Sequence, residues 1–150
     1  MARLFSFLFL LFPVFTHCQI DIDKAGDGWD EKVDSSLAII KQYDSIKYKL
    51  LLRVCDKIEF WNGCYSTNNG ERTIIVSSGD VKLGSLNNLA AVIVHESLHL
   101  YYSNHLNMLN NQEEENICYR YELSFLEMLS DVEPWLWTHT LQQIIETDIK

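Results

Sequence analysis

"AAVIVHESLHLYY", residues 90–102, sets two histidines and a glutamate inside an otherwise apolar run. Polar side chains that shed water on folding cost free energy unless something compensates them. Their spacing suggests what does. His95 and His99 stand four apart on a predicted helix, one turn from each other, so both imidazoles can reach one point. Glu96 is rotated about a third of a turn from His95, off an ion held by the histidines but within reach of a water beside it. His95-Glu96-Ser97-Leu98-His99 is therefore an HExxH motif, two nitrogen donors and a general base on one helix. With five histidines and eleven glutamates in 150 residues, chance supplies such a motif with a probability of about 0.01. The motif is a specific signal.

A catalytic ion of this kind needs a third protein ligand and an open position. The helical pattern that starts at Ser85, a good N-cap, breaks at "NMLNNQ". Asn111 followed by Glu114 then predicts the cap of a further helix, "QEEENICYRYELSFLEML". On a wheel of residues 113–129 the water side is set by Glu113, Asn116, Arg120, Ser124 and Glu127. Cys118, Phe125, Leu126 and Leu129 mark the apolar side. Glu115 falls about 40° and Glu122 about 20° from the centre of that apolar side, with Glu114 about 60° away. Two carboxylates thus point inward and require a cation or a donor. Glu115, in the first turns and sixteen residues after His99, is the expected third ligand. Glu122, two turns on, suits a supporting hydrogen bond, while Glu113 and Glu114 suit the helix N-terminal dipole.

Upstream, Val33, Leu37, Ile40 and Tyr43 recur at helical spacing from Trp29 onward, and a second helix is expected over about residues 46–54. "KIEFW" and "TIIVSS" flank an Asn/Gly-rich stretch and predict an antiparallel pair joined by a long turn, with "DVKLG" as a short third strand. Pro134 starts a final amphipathic helix whose Trp135, Leu136 and Leu141 are expected to complete the core. "DIDKAGDGWDEK" has the look of a calcium loop, but Ala25 and Lys32 stand where oxygen ligands are needed, so residues 19–28 read as a flexible leader. The expectation is one small α+β domain over residues 29–150, with N-terminal helices, a short antiparallel sheet, the HExxH helix and a glutamate helix.

The net charge of -9 excludes a basic nucleic-acid footprint. Arg3 and the apolar block Leu4 to Phe15 predict a signal peptide over residues 1–18, too short to span a bilayer. Cleavage after Cys18 places Thr16 and Cys18 at the recognised positions; lipidation of Cys18 fits less well behind Phe15 and His17. A secreted or otherwise extracytoplasmic chain follows, with no stable membrane insertion after cleavage. In that oxidising setting Cys55 and Cys64 are near enough to pair, leaving Cys118 as a small buried side chain.

"VIVHESLHL" followed by "EENICYRYELSFL" resembles the gluzincin class of zinc metallopeptidases, in its compact single-domain members, over about residues 29–129. Glu115-Asn116-Ile117-Cys118-Tyr119 matches an E-x-x-A-Y pattern with Cys118 in the alanine position; the N-E-x-x-S-D variant is absent, which leaves Tyr119 and Glu122 as the supporting residues. The resemblance implies a zincin-like fold and a zinc ion held by His95, His99 and Glu115. It also implies peptide-bond hydrolysis with Glu96 as general base on a metal-activated water. It makes residues 73–79 an edge strand onto which an extended peptide would add. His105, Tyr101, Tyr119 and His139 are available as a further donor. The expected partner is a peptide or protein substrate, met by a monomer, with no nucleic acid. The alternative is a zinc-containing binding or regulatory module that keeps the scaffold without proteolysis, and a tail after Pro134 that covers the cleft would make the enzyme latent.

Overall fold

The computed structural model describes residues 19–24, 26, 28–105 and 110–148; the expected signal segment 1–18, with Cys18, lies outside them. Along the described residues the order is β1 (Asp21–Ile22), α1 (Trp29–Tyr43), α2 (Ser45–Val54), β2 (Lys57–Trp61), β3 (Thr67–Asn68) and β4 (Thr73–Ser77). Helices α3 (Ser78–Leu83), α4 (Leu86–His105), α5 (Asn111–Leu126) and α6 (Pro134–Asp148) complete it. The molecule is a mostly helical α+β domain around one short mixed sheet.

Helix α4 is the axis of the fold. Ala90, Ala91, Ile93, Val94, Ser97, Leu98 and Leu100 are buried on all its sides, as expected of a helix surrounded by others rather than lying on a surface. It packs against α1 and α2 on one side, α5 on another, and the sheet through β3 and β4. Ser85 caps it as anticipated: its Oγ accepts the Asn88 N–H at 3.1 Å. The α1 hydroxyl of Ser36, fully buried, donates to Leu86 O at 3.2 Å and ties α1 to the start of α4. No described helix is long and apolar enough to cross a membrane.

The sheet departs from expectation. Its order is β1-β2-β4-β3, and β2 runs parallel to β4, pairing Lys57 with Thr73 through Trp61 with Ser77. The antiparallel partner of β4 is the two-residue β3, through Thr67↔Ile75 and Asn68↔Ile74. The hairpin read between "KIEFW" and "TIIVSS" is thus a crossover, because the connecting stretch itself supplies the strand that fills the antiparallel place. β4 is buried on both faces in nearly every residue, as an interior strand must be. It is not the edge that the resemblance implied; the edges are β1 and β3.

"DVKLG" is not a strand either. Ser77 Oγ accepts the Asp80 N–H at 3.1 Å and starts α3 instead. Gly84 closes α3 in a space where a Cβ would meet Asn88 Nδ2 and the Asp80 carbonyl, so only glycine lets α4 begin there. The leader contributes β1, hydrogen-bonded in parallel to β2, with Ile20 buried beside it. The cap of α5 is Asn110, one residue before the expected Asn111, through Oδ1 to the Glu113 N–H at 2.9 Å. On α6 only Leu136 of the three expected residues reaches the core; Trp135 and Leu141 are exposed.

Cys55 and Cys64 do not pair. The whole of β2 separates them, about 16 Å of extended chain, far beyond the reach of a disulfide. Cys55 is buried at the end of α2, its thiol pushed up to about 11 by that burial, while Cys64 is exposed past the other end of the strand. Cys118 is buried on α5 as expected.

Because Ile93 is fully buried in α4, Ile93→Ala should cost about 2–5 kcal/mol in urea unfolding. Ile46→Ala, at a side chain 78% exposed on α2, should change it by less than about 0.5 kcal/mol.

Candidate metal centre

Helices α4 and α5 lie side by side, and the polar groups of each meet between them. His95 Nε2 and His99 Nε2 are 3.1 Å apart. Glu115 faces both: Oε2 is 3.4 Å from His95 Nε2 and Oε1 is 3.4 Å from His99 Nε2. An ion bound tetrahedrally at about 2.0–2.1 Å requires ligand atoms about 3.3–3.4 Å from one another. The two imidazole nitrogens and the Glu115 carboxylate, one oxygen turned to each ring, converge closely enough that the group can hold a metal ion.

The second nitrogen of each imidazole is also engaged. His95 Nδ1 is 3.1 Å from Glu122 Oε2, and His99 Nδ1 is 2.6 Å from Glu114 Oε1. A carboxylate on Nδ1 fixes the ring and the tautomer that leaves Nε2 as the donor to a metal. Behind His95 the chain of contacts continues: Thr140 Oγ1 of α6, fully buried, donates to Glu122 Oε1 at 2.7 Å. Tyr119 packs its ring 4.5 Å from that of His95, and burial raises its phenol above the ordinary range. Glu96, also buried, receives Asn68 Nδ2 on Oε2 at 3.1 Å. Asn68 is held for this by its own turn, its Oδ1 accepting the Gly70 N–H at 3.2 Å.

The charges do not balance by themselves. Glu96, Glu114, Glu115 and Glu122 surround two imidazoles, and among the described residues no lysine or arginine pairs with any of the four. Burial alone would pull His95 down, but hydrogen bonds to Glu115 and Glu122 and the charges of Glu122 and Glu96 outweigh it and push the imidazole up to about 9. His99 is raised too, with burial opposed by Glu115 and Glu114. Both histidines hold Glu115 down to about 2. The site attracts positive charge, of the kind that a metal ion held by His95, His99 and Glu115 would supply.

Every expected site residue is here: His95, His99 and Glu115 converge, Glu96 lies beside them, Glu122 and Tyr119 back His95. Three others were not anticipated. Glu114 reads from the sequence as a partner of the helix dipole, and Asn68 lies in an Asn/Gly-rich stretch with no distinguishing pattern. Thr140 did carry a signal, a lone hydroxyl in the buried stripe Leu136, Thr140, Ile144. Of the further donors considered, Tyr101 and His105 stack on each other, and His139 lines a cleft beside the site. That cleft, about 450 Å³, is also lined by His95, Glu96 and Tyr119. A larger one, about 750 Å³, lies among β1, α1 and α2 and includes none of the site residues. Comparison with protein-family models, with curated proteins and with solved structures finds no match to this chain.

The raised His95 imidazole stabilises the metal-free fold fully below about pH 6.5, and that contribution is lost as pH climbs through about 9; His99, also raised, acts in the same sense. Glu115 acts oppositely, contributing above about pH 4.5 and losing it as pH falls toward 2. Thermal unfolding with a chelator present should therefore show the highest melting temperature between about pH 4.5 and 6.5. Metal binding displaces the imidazole protons, so the added shift in melting temperature should grow from pH 6.5 toward 9. Glu122→Gln and Thr140→Val should each weaken metal affinity by about 10- to 100-fold, as read by chelator competition.

Proposed function

We propose that this chain is a compact zinc metallopeptidase of gluzincin type, a zincin-like domain acting outside the cytoplasm on peptide or protein substrates. The observation that carries the reading is the convergence of His95 Nε2, His99 Nε2 and the Glu115 carboxylate on one point, with Glu96 beside it. Two imidazoles and one carboxylate suit zinc, whereas calcium and magnesium prefer all-oxygen surroundings. Three protein ligands leave one position open, the mark of a catalytic rather than a structural centre. The apolar block Leu4 to Phe15 supports export, and the mixed sheet lying over α4 supports the zincin-like scaffold.

Bound zinc supplies Lewis acidity, making a nearby water acidic and polarising a carbonyl oxygen. Glu96 then does the proton work. Its Oε2 is held by Asn68, and Oε1, which has no partner among the described residues, takes the proton of the attacking water. As the water oxygen adds to the carbonyl carbon and the C–N bond breaks, Glu96 hands that proton to the departing nitrogen. Glu122 and Glu114 keep both Nε2 atoms aimed at the metal throughout. A zinc site in a pure binding module has no use for a buried base held in place by an amide, which favours the enzyme over that alternative. Helix α6 supplies Leu136 to the core and Thr140 to Glu122, so it builds the site rather than lying over it as a separable cover.

Purified wild-type protein should contain one equivalent of zinc and cleave a quenched peptide in a chelator-sensitive way. His99→Ala and Glu115→Ala should lose the metal and the activity together. Glu96→Gln should keep the zinc and lower hydrolysis by about 100-fold or more. Wild-type protein without zinc, or full activity in Glu96→Gln, would contradict the reading.

A further inference from the structure

The cleft beside the candidate centre has an unusual lining. Three carboxylates face it, those of Asp80, Glu96 and Glu122, and among the described residues no lysine or arginine does. Glu96 and Glu122 are committed to the metal site, but Asp80 is not. Its Oδ2 accepts from Ser66 Oγ and from Ser77 Oγ, both at 2.7 Å, whereas Oδ1 receives only Asn88 Nδ2 at 3.4 Å. An ionised carboxylate offers about four acceptor sites, so Oδ1 keeps capacity for a stronger donor. The two hydroxyls and the amide hold Asp80 in place without neutralising it.

The walls carry the second observation. Tyr65, on the loop between β2 and β3, is 68% exposed, and Trp135, at the start of α6, is 52% exposed. Both line this cleft. Large aromatic rings left in water around a concave surface mark a place where something docks. Aromatic faces together with a carboxylate that has no cation suit a cationic side chain with an apolar stem. The net charge of -9 adds a field that draws such a group in.

We propose that this cleft is a specificity pocket for a basic side chain, arginine or lysine, of a peptide held with its scissile bond at the metal centre. Asp80 is the counter-charge, and Tyr65 and Trp135 flank the stem and head. The pocket's volume, about 450 Å³, accommodates such a side chain. As a substrate preference this rests on the peptidase reading; as a binding site it stands on the cleft alone.

The test uses N-acetyl-arginine methylamide and its neutral citrulline counterpart, titrated into the wild-type protein and followed by amide and indole shifts in NMR. The arginine compound should bind at least about tenfold more tightly and perturb the Trp135 indole. That preference should vanish in Asp80→Asn. Should Asp80→Asn fail to fold, Trp135→Ala and Tyr65→Ala decide the matter, since both side chains are exposed. Each should reduce the arginine affinity more than the citrulline affinity. Equal affinity of the two compounds for wild type, or a preference untouched by these substitutions, overturns the proposal. Cleavage of a peptide library is followed in parallel. Arginine preference without hydrolysis keeps the pocket and removes the peptidase reading; hydrolysis with no basic preference does the reverse.

Discussion

Four carboxylates gathered around two imidazoles, with no lysine or arginine paired to them among the described residues, are the constraint on which this structure turns. Such a cluster repels itself unless protons or a cation intervene. The neighbouring carboxylates raise both imidazoles, which favours protons in that place when no metal is bound. A metal ion held by His95, His99 and Glu115 would replace them at the same point, with Glu122 and Glu114 on the far nitrogens of the two rings.

Helix α4 makes the arrangement possible. Because it is enclosed by α1, α2, α5 and the sheet, its two histidines are placed where side chains from several elements can reach them. Glu114, Glu115 and Glu122 come from α5, Thr140 from α6 and Asn68 from β3. The backing of His95 runs through three helices, His95 to Glu122 to Thr140, so the orientation of this imidazole depends on the packing of α6.

Much of the helical framework was legible in the residues. Helix α1 begins and ends where its apolar spacing places it, and Ser85 caps α4 as expected. The inward lean of Glu115 and Glu122 followed from a wheel, because a helix has one period and a neighbouring apolar stripe defines its buried side. The sheet was misread for a complementary reason. A two-residue strand leaves no periodic trace, so the place taken by β3 could not be seen, and the parallel sense of β2 and β4 depends on it. The expected disulfide failed likewise: closeness along the chain is not closeness in space once a strand intervenes.

What the chain by itself determined was the chemistry of one helix. Four-residue spacing is a local property, so His95, Glu96 and His99 mark a candidate metal-binding face without any knowledge of the fold. Only the tertiary structure decided what meets that face. The pairing of Glu114 with His99, of Asn68 with Glu96 and of Thr140 with Glu122 joins residues 15, 28 and 18 positions apart. No local periodicity links such pairs; they are set by how helices and strands pack once their apolar sides are buried.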